Sequence, residues 1–170
     1  MSSLEHPAVA KVAAALAEAG QHAAAEGIRV LPAEVRTAAQ AAEALDVPVG
    51  AIANSLIFRL GSDKKALLAL TSGAHRADPG TLERLAGGEI GKADADFVRT
   101  HTGQPIGGVA PTGHPSPLPT LVDTALREHA VVWAAAGHPK AVYPTTFAGL
   151  VALTGGTPGA LGGAEENGQP

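Results

Sequence analysis

Val9, Val12 and Leu16 fall three and four positions apart, the spacing that lines one helix face, with Pro7 suited to the first turn and Gly20 to the stop. The pattern predicts an amphipathic helix over 7–19. "IRVLP" at 28–32 reads as a short strand, and Thr37 with Gln40 has the spacing of a capping box that opens an alanine-rich helix to Leu45. Pro48 starts one further turn. Then the period changes. "ANSLIFRL" at 53–60 and "KALLALTSG" at 65–73 are short apolar runs split by "GSDK", which predicts an antiparallel hairpin with Asn54 and Ser55 at the entrance to its first strand.

Asp78 followed by Pro79 predicts a helix through Leu85; "GGEIGKAD" separates it from a second short helix near 94–101, capped by Asp94 and ended by Gly103. "PTLVDTALREHAVVWAAAG" reads as a strand to Val122, a turn at Asp123 and a buried strand from about Val131 to Ala135. "YPTTFAGLVALTGG" is a final helix capped near Thr145 or Thr146. Between these parts lies "TGQPIGGVAPTGHPSPLP", residues 102–119, dense in glycine and proline and nearly free of charge. Composition alone reads it as a turn between two elements, and "HPSPLP" suits a polyproline II segment. Strands and helices in this irregular order fit an α/β (mixed α+β) single domain, a mixed sheet surrounded by short helices, better than a doubly wound parallel sheet. The domain is expected over 7–156. Residues 157–170, ending in the polar "AEENGQP", are expected to be a disordered tail.

Composition narrows the chemistry. With 170 residues, 45% hydrophobic and 16% charged, the chain supports one globular core. A net charge of −4 argues against a protein that coats nucleic acid, and 3% aromatic residues argue against a stacking platform for several bases. Any nucleic acid is expected to be gripped at one end. No run of about 18 apolar residues predicts a membrane span, and the N-terminus lacks the apolar centre of a signal peptide, so a soluble cytoplasmic protein is expected. The absence of cysteine excludes disulfides, thiolate catalysis and zinc sites built on sulfur. Neither G-x-G-x-x-G nor a P-loop occurs after a strand, so no nucleotide cofactor is supported. His75, His101, His114, His129 and His138 are scattered without ligand spacing, and no metal site is expected. Ser55, His138 and Asp123 compose a nominal triad, but no G-x-S-x-G elbow supports one.

"ANSLIF", "GAHRAD", "TGQPIGGVAP", "VDTAL" and "AAGHPKAVYPTTFAGLVALTGG", in this order and spacing, resemble the YbaK / prolyl-tRNA-synthetase-associated editing domain family over roughly residues 8–156. The most specific piece is the Gly-x-x-x-Pro loop from Gly107 to Pro111 after a Thr-Gly, followed by an apolar strand ending in Gly137. The resemblance implies a mixed, curved sheet and hydrolysis of the ester that joins a wrong amino acid to the 3′ end of a tRNA. The implied partners are that tRNA end with its amino acid and an aminoacyl-tRNA synthetase, with no membrane, DNA or cofactor. Carried onto this chain, it implies Asn54, Gly107 and His138 as catalytic residues and Ser55, Gly108, Pro111, Asp123 and Gly137 as substrate-binding ones. Many members carry a lysine where this chain has Asn54, so the implied hydrolase has a neutral polar anchor. Two other classes stand beside it: a non-catalytic module that holds an aminoacylated end, amino acid or nucleotide, and an interaction domain using the proline segment.

Overall fold

In the computed structural model, which describes residues 6–35, 37–62 and 65–162, local signals place most elements and tertiary pairing places the rest. Helix α1 (Pro7–Glu18) starts where the His6 ring accepts from the Ala8 N–H at 3.1 Å, and it buries Val9, Val12 and Leu16. The five-residue α2 (His22–Glu26) and the two-residue strand β1 (Arg29–Val30) follow. Both are too short to leave a sequence period. Thr37 caps α3 (Ala38–Leu45) by accepting from the Gln40 N–H at 3.1 Å. After a 3-10 turn at Val49–Ala51 come the hairpin strands β2 (Ile52–Leu60) and β3 (Lys65–Ser72); Asp63 and Lys64 of the expected "GSDK" turn lie outside the described residues. Asp78 caps α4 (Pro79–Ala86) and Asp94 caps α5 (Ala95–Thr102), with the short strand β4 (Ile90–Lys92) between them. The chain closes with β5 (Thr120–Asp123), a 3-10 turn at Thr124–Glu128, β6 (Val132–Ala135), β7 (Ala141–Thr145), α6 (Phe147–Thr154) under a Thr146 cap, and β8 (Thr157–Gly159).

All eight strands form one mixed sheet in the order β1-β7-β6-β2-β3-β5-β8, with β4 added beside β2. Pairs β2/β6, β3/β5 and β5/β8 are parallel, and the others antiparallel. Strand β3 shows why the sheet is central. Leu68 and Leu70 enter one core with α1 and α6, whereas Leu67 and Ala69 enter another with Leu82 of α4. Both faces are covered, so the strand reads as a continuous apolar run rather than an alternation. Each of its three leucines is fully buried, worth roughly 1.5–3 kcal/mol apiece. A third cluster packs α3 on Ile52 and Val142.

Three strands depart from the sequence reading. Strand β4 lies in the stretch taken as a connector, and only its register against Phe58–Leu60 makes it a strand. Strand β7 contains Pro144, which discourages a strand assignment because it cannot donate to a ladder; β1 reaches only to the level of Val142, so Pro144 lies beyond that neighbour's end. Strand β8 corrects the domain boundary. Thr157–Gly159 pairs with β5 and Leu161 is fully buried beside Leu82, so residues 157–162 belong to the domain rather than to a tail. Residues 163–170 lie outside the described residues.

Candidate functional site

Strand β2 changes neighbours along one edge. Strand β6 pairs with Ile52 and Ala53, β4 pairs with Phe58 to Leu60, and residues 54–57 have no strand on that side among the described residues. The Ile52 carbonyl accepts from the Gly73 N–H at 2.9 Å and so faces β3. Strand alternation therefore turns the backbone groups of Ser55 and Ile57 toward the open edge.

The loop at 106–109 lies across this gap and leaves a cleft of about 220 Å³. Its floor is β2 from Ile52 to Leu56 with Trp133–Ala135 of β6 and Ala141 and Val142 of β7. Val35, Thr37, Ala38 and Ala41 form one wall, and Ile106, Gly107 and Val109 the other. A second chamber of about 200 Å³ continues past Ser55 and Leu56, lined by Ile57, Phe58, Ala93 and Val98 and by the same three loop residues. Asn54 is exposed in the first chamber; the Ser55 hydroxyl oxygen is buried with no hydrogen-bond partner among the described residues. Ile106 is 57% exposed and stands on the partition between the chambers.

The loop is braced at the Gly108 amide and, just beyond it, at the Ala110 amide. Gln104, 1% exposed, accepts from the Ala110 N–H at 2.7 Å through its side-chain oxygen and donates to the Thr112 carbonyl at 3.1 Å. Thr102 fixes Gln104 in turn, accepting from its N–H and donating to its carbonyl at 3.0 Å each. The Gly108 N–H donates to the Pro105 carbonyl at 2.9 Å. The N–H groups of Ile106, Gly107 and Val109 have no hydrogen-bond acceptor among the described residues, and all three residues line the cleft. Gly107 holds φ at +92°, a conformation glycine adopts without strain.

The sequence-derived site residues divide into two groups. Asn54, Ser55 and Gly107 line the cleft together. Gly108, Gly137 and His138 stand behind it: the Gly137 N–H donates to the Gly108 carbonyl at 2.8 Å, and a Cβ on Gly108 would lie 2.7 Å from the His138 backbone. His138 is not part of the lining, although its neighbour Pro139 is. Its Nδ1 accepts from the Lys140 N–H at 3.0 Å, and its ring meets His6 edge-on at 5.1 Å. Desolvation, then the nearby His6, lower its pKa below the ordinary 6.5. Pro111 is buried and borders a separate groove with Thr112 and His114 rather than the cleft. Asp123 is likewise away from the cleft, fully buried and turned inward to Ser72, Ala125 and His75.

Sequence reasoning missed Gln104, Trp133 and the α3 wall. Trp133 is the single tryptophan of the chain and Gln104 a lone amide among glycines and prolines; those were the available signals. Among the described residues no group of three or more His, Cys, Asp or Glu is placed to hold a metal ion, and no helix is long and apolar enough to cross a membrane.

The aminoacyl-tRNA editing domain family matches residues 32–153, a span that contains every wall of the cleft. The chain belongs to this family. Among solved structures, one described as a candidate trans-editing enzyme for prolyl tRNA synthetase is 41% identical, with a TM-score of 0.84 over 92% of this chain and 98% of that one. A scaffold protein from work on computational epitope grafting is 39% identical, with a TM-score of 0.85 over 93% of this chain and 99% of that one. A hypothetical protein at 27% identity gives a TM-score of 0.78, covering 87% of this chain and 96% of that one. No curated protein matches. The editing domain thus has the expected mixed α/β fold, with its open β2 edge inside the matched region.

Proposed function

We propose that this chain is a freestanding aminoacyl-tRNA editing hydrolase that deacylates mischarged tRNA at the 3′-terminal ester. One observation carries the reading: within a family of editing domains, Asn54 and the uncommitted N–H of Gly107 share one cleft at a gap in the sheet. The similar structure described as acting in trans for prolyl tRNA synthetase supports action on a tRNA charged elsewhere. The setting is the cytoplasm, with the tRNA end as substrate and a synthetase as the source of the errors.

The chamber under α3, lined by Ala38, Ala41, Ile52 and Val142, takes the amino acid, and its size sets the upper limit. Such a sieve is needed because a synthetase pocket discriminates poorly against a substrate that lacks one methylene, a difference worth only about 1–3 kcal/mol. The ester carbonyl lies at the junction of the chambers. Water adds to the carbonyl carbon, either directly or after the neighbouring 2′-hydroxyl has taken over the acyl group as an ester; negative charge develops on the carbonyl oxygen, where the N–H of Gly107 and the amide of Asn54 donate to it. The acyl–oxygen bond then breaks, and the ribose oxygen leaves with a proton. His138 holds the turn behind Gly108 and acts as a positioning residue.

Asn54 also favours a second reading, a binding module without turnover, because an amide lacks the charge of a lysine. Incubation of the purified protein with tRNAs mischarged with alanine, cysteine or serine separates the two. The hydrolase releases free amino acid above the buffer rate from at least one of them; protection of the ester with no release supports the module.

A further inference from the structure

Strand β3 ends in two buried hydroxyls, and only one of them is satisfied. Ser72 donates to the Gly50 carbonyl at 3.0 Å and accepts from the Ala74 N–H at 3.2 Å. Thr71 is 1% exposed, and its Oγ1 has no hydrogen-bond partner among the described residues. Its face of the strand is otherwise apolar, for Leu67 and Ala69 share it and enter the cluster around Leu82. At the next position on that face, a Cβ on Gly73 would lie 2.6 Å from the Val49 carbonyl oxygen and 2.7 Å from the Ala38 Cβ, so the 3-10 turn and α3 close over it. Asp123 follows Val122, the β5 partner of Leu70, and its carboxylate is bonded to Ser72, Ala125 and His75 rather than to this hydroxyl. Valine has nearly the shape of threonine and would fill the position with no unmet donor, so packing does not explain the hydroxyl.

The residue directly across the ladder is Asn54. The bond from the Gly73 N–H to the Ile52 carbonyl marks a hydrogen-bonded pair, and alternation makes Asn54 and Thr71 the next such pair, with Cα atoms about 5.5 Å apart and side chains on one face. Asn54 is exposed in the first chamber, and its side-chain amide has no hydrogen-bond partner among the described residues. The two ends of an amide are nearly equal in shape, but only Nδ2 donates. A neighbour has to select which end faces the ester. We propose that Thr71 is a positioning residue for Asn54: its hydroxyl donates across the ladder to Oδ1, which turns the Nδ2 hydrogens toward the developing oxyanion. The direction follows from the burial of Thr71, whose proton has no other acceptor. Thr71 lines neither chamber, so it acts through Asn54 and not on the substrate. Its effect on deacylation rests on the editing reading above; the contact between the two side chains does not.

Thr71→Val is expected to lower kcat for deacylation of mischarged alanyl-tRNA about tenfold with KM unchanged, the loss typical of one neutral hydrogen bond. Its melting temperature stays level or rises, because an unmet buried donor is removed. Thr71→Ser keeps the hydroxyl and recovers most of the rate. In an Asn54→Ala background Thr71→Val has no further effect, as two residues acting as a unit require. A second readout uses the free protein and needs no turnover: the carbon NMR signal of the Asn54 side-chain carbonyl moves on Thr71→Val in the direction of a lost hydrogen bond and stays in place in Thr71→Ser. An unmoved carbonyl signal, an unchanged kcat in an active enzyme, or a joint fall of rate and melting temperature that serine does not rescue overturns the proposal. The expected carbonyl shift together with no release from any mischarged tRNA sinks the editing reading and leaves the contact standing.

Discussion

Gly108→Ala is expected to lower single-turnover deacylation about a hundredfold while the domain stays folded. The added Cβ would fall 2.7, 2.8 and 2.9 Å from the carbonyl carbon, Cα and nitrogen of His138. Backbone atoms cannot swing aside as the end of a side chain does, so the loop or the turn at 137–138 has to move. Gly108 is also joined to that turn by the bond from the Gly137 N–H at 2.8 Å, and it adjoins the Gly107 donor. A displacement of about 1 Å at a positioned donor costs on the order of 10²-fold in rate. Gly107→Ala makes the informative contrast. Its Cβ meets nothing within 4 Å, and its cost is the strain of φ at +92°, roughly 1–2 kcal/mol, rather than a clash. Rates from quenched time courses beside thermal melts distinguish the two. Full activity in Gly108→Ala would show that the loop does not position the reacting ester.

Asp123→Ala is expected to destabilise the domain by about 2–4 kcal/mol, because a buried carboxylate that accepts several hydrogen bonds is lost at about 1–3 kcal/mol for each donor left unpaired. The Asp123 carboxylate is completely buried and accepts from the Ser72 N–H at 2.9 Å and the Ala125 N–H at 3.1 Å. It also contacts the His75 Nε2 at 2.6 Å. It therefore ties the end of β3, the 3-10 turn after β5 and the segment before α4 to one point. Alanine leaves those donors buried without an acceptor, each costing about 1–3 kcal/mol. Asp123→Asn keeps the shape and one acceptor, and loses less. Urea unfolding with the slope held in common measures both; a loss below about 1 kcal/mol for alanine contradicts the structural role given to this residue.

The helix starts were legible because each is a local event. Thr37, Asp78, Asp94 and Thr146 cap their helices through the side-chain contacts that their spacing announces. The β2/β3 hairpin was legible from its two apolar runs. What one segment owes to a distant one was not: β4, β7 and β8 are strands because of their neighbours, and three of the four pairs involving β4, β7 or β8 are set by segments far away in the chain. The same division runs through the site. Asn54, Ser55 and Gly107 carry marks in the sequence, a strand entrance and a glycine turn. The α3 wall and Trp133 reach the cleft only through the sheet order, which places β6 beside β2. Asp123 and Pro111 were assigned to the substrate because they stand in conspicuous motifs, yet the motifs reflect a buried clamp and a groove on the other side of the loop.

Asn54 is exposed, so its truncation tests the chemistry without disturbing the core. The decisive measurement is single-turnover release of amino acid from a mischarged alanyl-tRNA by the wild-type protein and by Asn54→Ala, at equal melting temperature. Wild-type release well above the buffer rate, slowed about 10²–10³-fold by the substitution, is the result expected of an oxyanion donor. Release no faster than buffer, or a rate that Asn54→Ala leaves unchanged, contradicts a hydrolase anchored on this amide.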